Sequence, residues 1–278
     1  MTTSIAHLSD LHFGSEAPGA ADELGETLRG LHLDLVLISG DLTMAARNRE
    51  FMAARRFVDT MNAPVLMVPG NHDISPYKLV ERFVQPYRRW RRHLTTAIEP
   101  SWCNDDVAVI GLNTARRMRF KLDWSLGSVS RAQIRALRHR FKAMSAQPFR
   151  IVAAHHPFLM DGETEGVHAG PRQLVNRASR ALAVLAAERV DVVASGHLHR
   201  TYTAQYAVKG PAAHTLHVIQ AGTALSARTR GEPNSFNLIR ATDRRLTVHI
   251  VRRTTAGWTE DTSTLVDIQK PDAATAAS

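Results

Sequence analysis

The sequence predicts an α/β fold built on a largely parallel sheet. Short apolar runs alternate with helical stretches at intervals of about 30 residues, which is the spacing of strand–helix–strand units. The runs are themselves unbroken, as at Leu35–Ile38, and this is typical of strands that are buried on both faces. After His199 the helical stretches stop and short runs follow one another directly, so an antiparallel set is expected there.

The individual elements follow from this periodicity. Apolar runs predict strands at 4–8, 35–38, 65–68, 107–112, 150–154 and 191–194. Helical patterns predict helices at 20–31, 47–61, 131–144 and 172–188. Further short strands are expected at 202–208, 214–220, 235–240 and 246–251. Residues 77–98 are helical in pattern although Pro86 interrupts them, and five arginines surround Trp90 there.

A single domain is the simplest division of the chain, because the sequence shows neither an internal repeat nor a clear linker. We expect this domain over 1–268, with 77–98 as a basic helical insertion over the first sheet. The last residues, 269–278, lack apolar periodicity and are predicted to form a disordered tail.

Charge and cysteine content narrow the class of protein. The 35 basic and 26 acidic side chains give 35 − 26 = +9, a sign that suits an anionic substrate such as a phosphate ester. The single cysteine, Cys103, excludes an internal disulfide and a thiolate metal cluster. Because we find neither an apolar run of membrane-spanning length nor a secretory signal, we expect a cytoplasmic protein without a transmembrane segment.

Polar clusters follow five of the predicted strands, at the point where each strand ends. They are Asp10-Leu11-His12, Gly40-Asp41, Gly70-Asn71-His72-Asp73, His155-His156-Pro157 and Gly196-His197-Leu198-His199. The carboxyl ends of strands in open α/β sheets share one edge, where ligands bind. We therefore expect clusters that are far apart in the chain to lie together in space.

These side chains are suited to metal ions. Carboxylate oxygens, imidazole nitrogens and an amide oxygen are ligands that favour manganese, iron, zinc or cobalt. The set holds seven candidate ligands: Asp10, His12, Asp41, Asn71, His155, His197 and His199. One ion rarely takes so many protein ligands, whereas two ions that share a carboxylate do, and such pairs catalyse phosphoryl displacement.

The order of the motifs carries a resemblance to a known family. The chain contains, in sequence, D-x-H, GD, GNHD, H and GHxH. This set resembles the calcineurin-like metallophosphoesterase superfamily, and it is highly specific as a set although each motif alone is weak. Within that superfamily the chain is most similar to the bacterial class III cyclic-nucleotide phosphodiesterase branch. The stretches that carry this similarity are HLSDLHFG, ISGDLT followed by Arg49-Glu50-Phe51, VPGNHD, HHP and SGHLH.

The resemblance covers 5–240 and implies a four-layer α-β-β-α sandwich with two mixed sheets. It also implies two transition-metal ions, such as manganese, iron or zinc. Asp10, His12 and His199 would hold the first ion. Asn71, His155 and His197 would hold the second, and Asp41 would bridge the two.

The resemblance also implies catalytic roles. A metal-bridging hydroxide would attack phosphorus while His72, beside Asn71, meets the substrate and protonates the leaving oxygen as general acid. Asp73 would orient His72 by a hydrogen bond. In the HHP motif, His155 is the expected ligand and His156 a neighbour. Phe158 stands where the family often has a second proline. This difference is expected to change the wall of the pocket and to leave the metal ligands unchanged.

Two features stay open at this level. His168 lies in the loop after the strand that carries His155, so it is a candidate substrate contact, although a plain loop histidine is the simpler interpretation. The arginines of 77–98 are interpreted first as a solvated face. The alternatives are a cap that binds nucleotide phosphate and an amphipathic surface that meets anionic lipid.

The predicted function is hydrolysis of a phosphodiester, with a 3′,5′-cyclic nucleotide as the first candidate substrate. The alternatives on the same centre are a phosphomonoesterase, a pyrophosphatase and a hydrolase of phospholipid precursors. A nuclease and a non-catalytic metal-binding module rank lower. A small phosphoester is the expected partner, a stable nucleic-acid complex is not expected, and relatives favour a homodimer.

Overall fold

The computed structural model of the chain describes residues 2–117, 123–144, 146–160, 174–208, 213–227 and 231–270. The strands are β1 Thr3–Leu8, β2 Leu35–Ile38, β3 Val65–Met67, β4 Ser101–Cys103, β5 Val107–Leu112, β6 Phe149–Ala154, β7 Val192–Ser195, β8 Tyr202–Val208, β9 His214–Gln220, β10 Ser235–Ala241, β11 Arg245–Thr254 and β12 Gly257–Gln269. The helices are α1 Ala20–Gly30, α2 Asn48–Asp59, α3 Leu79–Val84, α4 Arg88–His93, α5 Arg131–Ala143 and α6 Ala178–Ala187.

The strands form two mixed sheets of six strands each. The first has the order β12-β11-β10-β1-β2-β3 and the second the order β4-β5-β6-β7-β9-β8. Residues of α1, α2 and α4 pack with one face of the first sheet, and residues of α5 and α6 pack with one face of the second. A third cluster joins the two sheets to each other. The predicted four-layer α/β sandwich is confirmed.

Alternation of side chains along the strands builds these layers. In β2, Leu35 and Leu37 belong to the cluster between the sheets, while Val36 and Ile38 pack toward the helices. Successive side chains of a strand point to opposite faces, so an unbroken apolar run is what a strand with two buried faces requires. The unbroken runs of the sequence therefore report a strand that is covered on both sides.

The strands after His199 depart from the predicted antiparallel set in one respect. The hairpin of β8 and β9 extends the second sheet, where β9 runs parallel to β7. The chain then crosses to the first sheet, where β10 pairs antiparallel with β1 and β11 and β12 follow. Short alternating runs indicate that strands form, but they carry no information about which sheet edge each strand joins.

Two strands have no counterpart in the prediction. The edge strand β4 has only three residues, and β12 is largely exposed and polar, so neither contains an apolar run. Gln269, predicted to begin a disordered tail, pairs with Arg245 in the last strand. Residues 271–278 of the predicted tail lie outside the described residues. The division into one domain over 1–268 stays a prediction.

The basic insertion at 77–98 contains the two short helices α3 and α4. Arg88, Arg91 and Arg92 are exposed, as the solvated-face interpretation expects. Arg82 corrects that interpretation, since only 1% of it is exposed. Its guanidinium donates to the carbonyl oxygens of Ile74, Ser75, Arg116 and Arg117.

Arg82 is thus a buried cation that joins two loops. Its Nε lies 2.8 Å from the carbonyl oxygen of Arg117, and its Nη1 lies 2.9 Å from that of Ile74. The ring of Trp124 lies beneath the guanidinium, with the Cζ atom 4.4 Å from the ring centroid. Carbonyl dipoles and an aromatic face together replace the water that a buried guanidinium loses.

The described helices carry no membrane-spanning segment: none is both long and apolar enough to cross a bilayer.

Replacing Arg82 by Met is expected to lower the free energy of unfolding by about 2–4 kcal/mol. The aliphatic stem is kept, but the buried carbonyls of two loops lose their donor. Urea denaturation followed by circular dichroism measures the change. The matched variant Arg91→Met removes an exposed arginine from α4 and should change stability by less than about 0.5 kcal/mol. Equal effects of the two substitutions would contradict this account of Arg82.

Candidate metal centre

The seven candidate ligands lie on the loops that directly follow β1, β2, β3, β6 and β7. Asp10 and His12 follow β1 of the first sheet, and His155 follows β6 of the second. The carboxyl ends of parallel strands from both sheets meet at one edge of the sandwich. The structure brings all seven side chains together there.

The first group comprises Asp10, His12 and His199, whose ligand atoms lie within 4.8 Å of one another. The Nε2 atoms of His12 and His199 face each other at 3.1 Å. Oδ1 of Asp10 lies 3.3 Å from Nε2 of His199 and 3.6 Å from Nε2 of His12. This oxygen is buried and has no hydrogen bond. Three donor atoms therefore converge on one point.

The second group is centred on Nε2 of His155. That atom lies 3.1 Å from Oδ1 of Asn71 and 3.3 Å from Nδ1 of His197. The other ring nitrogen of His155, Nδ1, donates to the carbonyl oxygen of Ser39 at 2.9 Å. In the neutral ring this hydrogen bond leaves a lone pair on Nε2, which is the form that a metal ligand needs.

Asp41 lies between the two groups. Its Oδ2 is 3.2 Å from Nε2 of His155 and 3.8 Å from Nε2 of His12. Its Oδ1 accepts the backbone N–H of His72 at 2.8 Å. One carboxylate oxygen therefore reaches both groups, which is the position of a bridging ligand.

The donor set fits metal ions. Ligands bound at about 2.0–2.2 Å lie roughly 3–3.5 Å apart around one ion. The distances within each group, 3.1–3.6 Å in the first and 3.1–3.3 Å in the second, agree with that spacing. Oδ1 of Asp10 has no hydrogen bond and the imidazole nitrogens of His12 and His199 face each other, so a bound cation fits between these three atoms.

The backbone around the site is bent into unusual conformations. Nine described residues other than glycine have a positive φ, and five of them are candidate ligands, with φ between 47° and 80°: Asp10, His12, Asp41, His197 and His199. Such conformations cost energy and persist only where the surrounding structure enforces them. Gly70 shows the same crowding, because a Cβ atom there would lie 2.0 Å from Oδ1 of Asp41.

The interaction expected between Asp73 and His72 is not observed, and this part of the prediction is wrong. Nδ1 of the His72 ring instead lies 2.6 Å from the carbonyl oxygen of Met44, to which it donates. The Asp73 carboxylate accepts from the backbone N–H groups of Gly70 and Thr43 at 2.9 Å each. Asp73 therefore holds the two ligand loops together, while Met44 orients the ring.

His156 lies among the ligands, but both nitrogens of its ring already form hydrogen bonds. Its ligand atom lies within 4.8 Å of those of His155 and His197. Its Nε2, however, donates to the carbonyl oxygen of Ser125 at 2.8 Å, and its Nδ1 accepts from Oγ1 of Thr114 at 2.8 Å. Both ring nitrogens already have partners, which favours His156 as a neighbour of the ligands, and this assignment stays a prediction. His168 lies outside the described residues.

Sequence reasoning missed the main-chain groups of the site. The carbonyl oxygens of Ser39 and Met44 set the tautomers of His155 and His72. Any residue type supplies a carbonyl, so no sequence signal marks these positions. Glu50, in contrast, supports the site through its side chain. Its Oε2 accepts the backbone N–H of Ala45 at 2.8 Å and thereby fixes the loop that contains Met44.

The buried ionisable groups of the site have pKa values that are shifted in different directions. Burial alone would lower the pKa of His155, but the charge and hydrogen bond of Asp41, the charge of Asp10 and the Ser39 carbonyl together outweigh burial and raise the pKa to about 9. The same pairing holds the pKa of Asp41 well below its usual range, against burial. Burial and the charge of His155 lower the pKa of His197 to about 4. Burial and the charge of Asp41 raise the pKa of Asp73 to about 6.

The chain is similar in sequence to known phosphodiesterases. A glycerophosphodiester phosphodiesterase, GpdQ of Enterobacter lignolyticus, is 36% identical over 81 residues, which are 25% of this chain and 29% of that enzyme. A probable cyclic nucleotide phosphodiesterase of Synechococcus sp. is 26% identical over 217 residues, which are 73% of this chain and 75% of that protein. The chain spans 29% and 58% of the two GpdQ-type relatives that it matches.

Among solved structures, a dimetal phosphatase from Danio rerio superposes with a TM-score of 0.61 at 13% identity. The match covers 96% of this chain and 98% of that one, and it establishes the fold alone. The sequence model of the calcineurin-like phosphoesterase family matches residues 3–201. Because this match spans well over half of the 278 residues, the chain belongs to the calcineurin-like phosphoesterase family.

Proposed function

We propose that the chain is a dinuclear metal-dependent phosphoesterase that hydrolyses a phosphodiester. The observation that carries the proposal is the position of Asp41, whose Oδ2 lies 3.2 Å from one ligand group and 3.8 Å from the other. A single carboxylate shared between two converging donor sets is the arrangement that two metal ions require. The presence of all seven candidate ligands together with His72, the candidate general acid, favours catalysis over a module that only binds metal.

The residues divide between two ions as follows. Asp10, His12 and His199 would hold the first, and Asn71, His155 and His197 would hold the second, with Asp41 shared between them. Bound metal ions would supply two things here: they would lower the pKa of water and neutralise charge on the phosphoryl oxygens. Nitrogen and oxygen donors without thiolate favour manganese, iron or zinc.

His72 is the group that would move a proton to the leaving oxygen. Its Nδ1–H is engaged by the Met44 carbonyl, so Nε2 is the nitrogen left for the substrate. The His72 ring stands edge-on to the His12 ring, with 4.8 Å between centroids, and the residue is partly exposed. It therefore lies beside the ligands and toward solvent, where a substrate enters.

A small phosphodiester is the proposed substrate, with a 3′,5′-cyclic nucleotide first and a glycerophosphodiester second. The cyclic-nucleotide choice is supported by the Synechococcus relative, which aligns with 73% of this chain. The glycerophosphodiester alternative is supported by the GpdQ relatives. The formal charge of +9 favours an anionic substrate of either kind. A cytoplasmic location and a homodimer stay predictions.

Substitution of Asp41 by Asn is expected to remove metal and activity together. The amide lacks the charge that balances two cations, so elemental analysis should show fewer ions per chain. Turnover should fall by at least about 10²-fold, because even partners of ligands typically contribute about 10–100-fold.

The matched variant His72→Asn keeps the ligands and should retain the metal. Turnover of a substrate with an alkoxide leaving group should fall about 10²–10⁴-fold. The loss should be smaller for bis-p-nitrophenyl phosphate, whose leaving group needs no proton. Unchanged metal content and activity in Asp41→Asn would refute the site assignment, and an equal loss on both substrates in His72→Asn would refute the role of the ring.

Metal binding to the metal-free protein is expected to release at least one proton at neutral pH. The raised pKa of His155, about 9, means that this ring is protonated below that pH, and a ligand must be neutral. Metal affinity should therefore increase as pH rises toward 9. Calorimetric titration of Mn²⁺ in buffers of different ionisation enthalpy measures the release. Heats that are independent of the buffer would contradict it.

The substrate class is tested by comparing turnover of cyclic AMP, glycerophosphoethanolamine, bis-p-nitrophenyl phosphate and p-nitrophenyl phosphate on the reconstituted protein. Both diester classes should be turned over faster than the monoester. If the protein hydrolysed the other diesters but not cyclic AMP, the assignment would move to glycerophosphodiesters. A large preference for p-nitrophenyl phosphate would overturn the diesterase proposal. Asp41→Asn, which is expected to lose both metal and activity, serves as the control for contaminating phosphatase.

A further inference from the structure

Helix α3 distributes its side chains in the opposite way to an ordinary surface helix, with its arginine buried and its apolar side chains exposed. Its arginine, Arg82, is 1% exposed, whereas Val80 and Val84 are 79% and 69% exposed and Leu79 is 50% exposed. Tyr77, just before the helix, is 69% exposed. A surface helix normally buries its apolar side chains and leaves its cations in water. Contiguous apolar side chains on the outside indicate a surface that meets an apolar partner.

This surface surrounds a shallow cavity of about 560 Å³. Its lining combines aliphatic and basic side chains: Tyr77, Lys78, Leu79, Val80, Val84 and Arg88 contribute to it. We call these six residues the α3 patch. Glu81, which also lines the cavity, is engaged by Arg89 through two hydrogen bonds of 2.8 and 3.1 Å. The carboxylate is therefore already neutralised, and Lys78 and Arg88 leave the patch positively charged.

The orientation of α3 is enforced. Hydrogen bonds from Arg82 to Ile74 and Arg117 hold one side of the helix against the body of the protein, so Val80 and Val84 must face outward. The α3 patch also lies beside the loops of the metal centre. It begins four residues after Asp73, and the guanidinium of Arg47 lies 5.8 Å from the centroid of the Tyr77 ring.

We propose that the α3 patch docks on the surface of an anionic lipid bilayer. The interface of such a bilayer offers an apolar layer for the valines and leucine and anionic headgroups for Lys78 and Arg88. The formal charge of +9 adds long-range attraction to the same surface. Docking would bring the loop that carries His72 to the level of the headgroups.

A second copy of the chain is the less suitable occupant. A twofold interface would place each α3 patch against itself, so Lys78 and Arg88 of one copy would face the same cations of the other. With Glu81 already paired to Arg89, the patch offers no acidic partner for them. A bilayer satisfies the apolar and the cationic parts of the patch at once.

Vesicle flotation of the metal-loaded protein tests the proposal, and it does not depend on catalysis. Binding is expected to phosphatidylcholine vesicles that contain phosphatidylglycerol, and not to pure phosphatidylcholine. Added salt should weaken it, because the headgroup attraction is screened. The double variant Val80→Ser/Val84→Ser should lower the partition coefficient by about 100-fold, or roughly tenfold for each exposed valine that no longer enters the interface.

The charge variant Lys78→Glu/Arg88→Glu should abolish the preference for phosphatidylglycerol. Its matched control is Arg131→Glu/Arg135→Glu, which makes the same charge change on exposed positions of α5 and should leave most of the binding. Circular dichroism and turnover of bis-p-nitrophenyl phosphate in solution confirm that each variant is folded.

Equal binding of the wild type and the valine variant would overturn the proposal, as would equal binding of the two charge variants. The wild-type protein could instead fail to bind phosphatidylglycerol vesicles and form a dimer that Val80→Ser/Val84→Ser abolishes. That result would assign the α3 patch to a second copy of the chain. If turnover fails in the wild type while vesicle binding persists, the proposed function fails and the docking surface stands.

Discussion

The burial of two carboxylates at one edge of the sandwich is the constraint on which the rest of the site depends. Asp10 and Asp41 are fully enclosed, and both belong to the same group of close ligand atoms. Two negative charges in a dry site repel each other and lose their water, so they need cations. Without metal, the protonated ring of His155 supplies part of that charge. The histidines, the bent backbone and the glycines can all be understood as the means by which the chain surrounds these two carboxylates.

This constraint also explains why the strain lies where it does. Five ligands adopt positive φ because a strand that ends at the sheet edge must turn sharply for its side chain to point back at the centre. Gly70 must approach Asp41 so closely that no Cβ fits. The hydrogen bonds that Asp73 and Glu50 accept from backbone N–H groups then fix loops that would otherwise relax to less strained conformations. The strained backbone of the ligands and the hydrogen bonds that hold it therefore serve the same ligand geometry.

Sequence patterns revealed the ligands because chemistry and strand ends coincide in them. The order of the polar clusters was sufficient to predict that seven side chains lie at one edge, and unbroken apolar runs were sufficient to predict strands that are buried on both faces. The division into two sheets came only from the family resemblance. Three features were beyond such patterns. The sheet joined by β9 depends on pairing between distant strands. The partner of His72 is a main-chain carbonyl, which every residue carries. The burial of Arg82 depends on two loops that meet only in the folded chain.

The distribution of the ligands between the sheets has a mechanical consequence. Asp10, His12, Asp41 and Asn71 follow strands of the first sheet, whereas His155, His197 and His199 follow strands of the second. An ion held by either group would therefore take ligands from both sheets and would cross-link them, beside the apolar layer that they share. Opening the sandwich at this edge would mean breaking coordinate bonds as well as exposing apolar surface. Side chains that hold metal ions at this position would therefore also hold this edge of the sandwich closed.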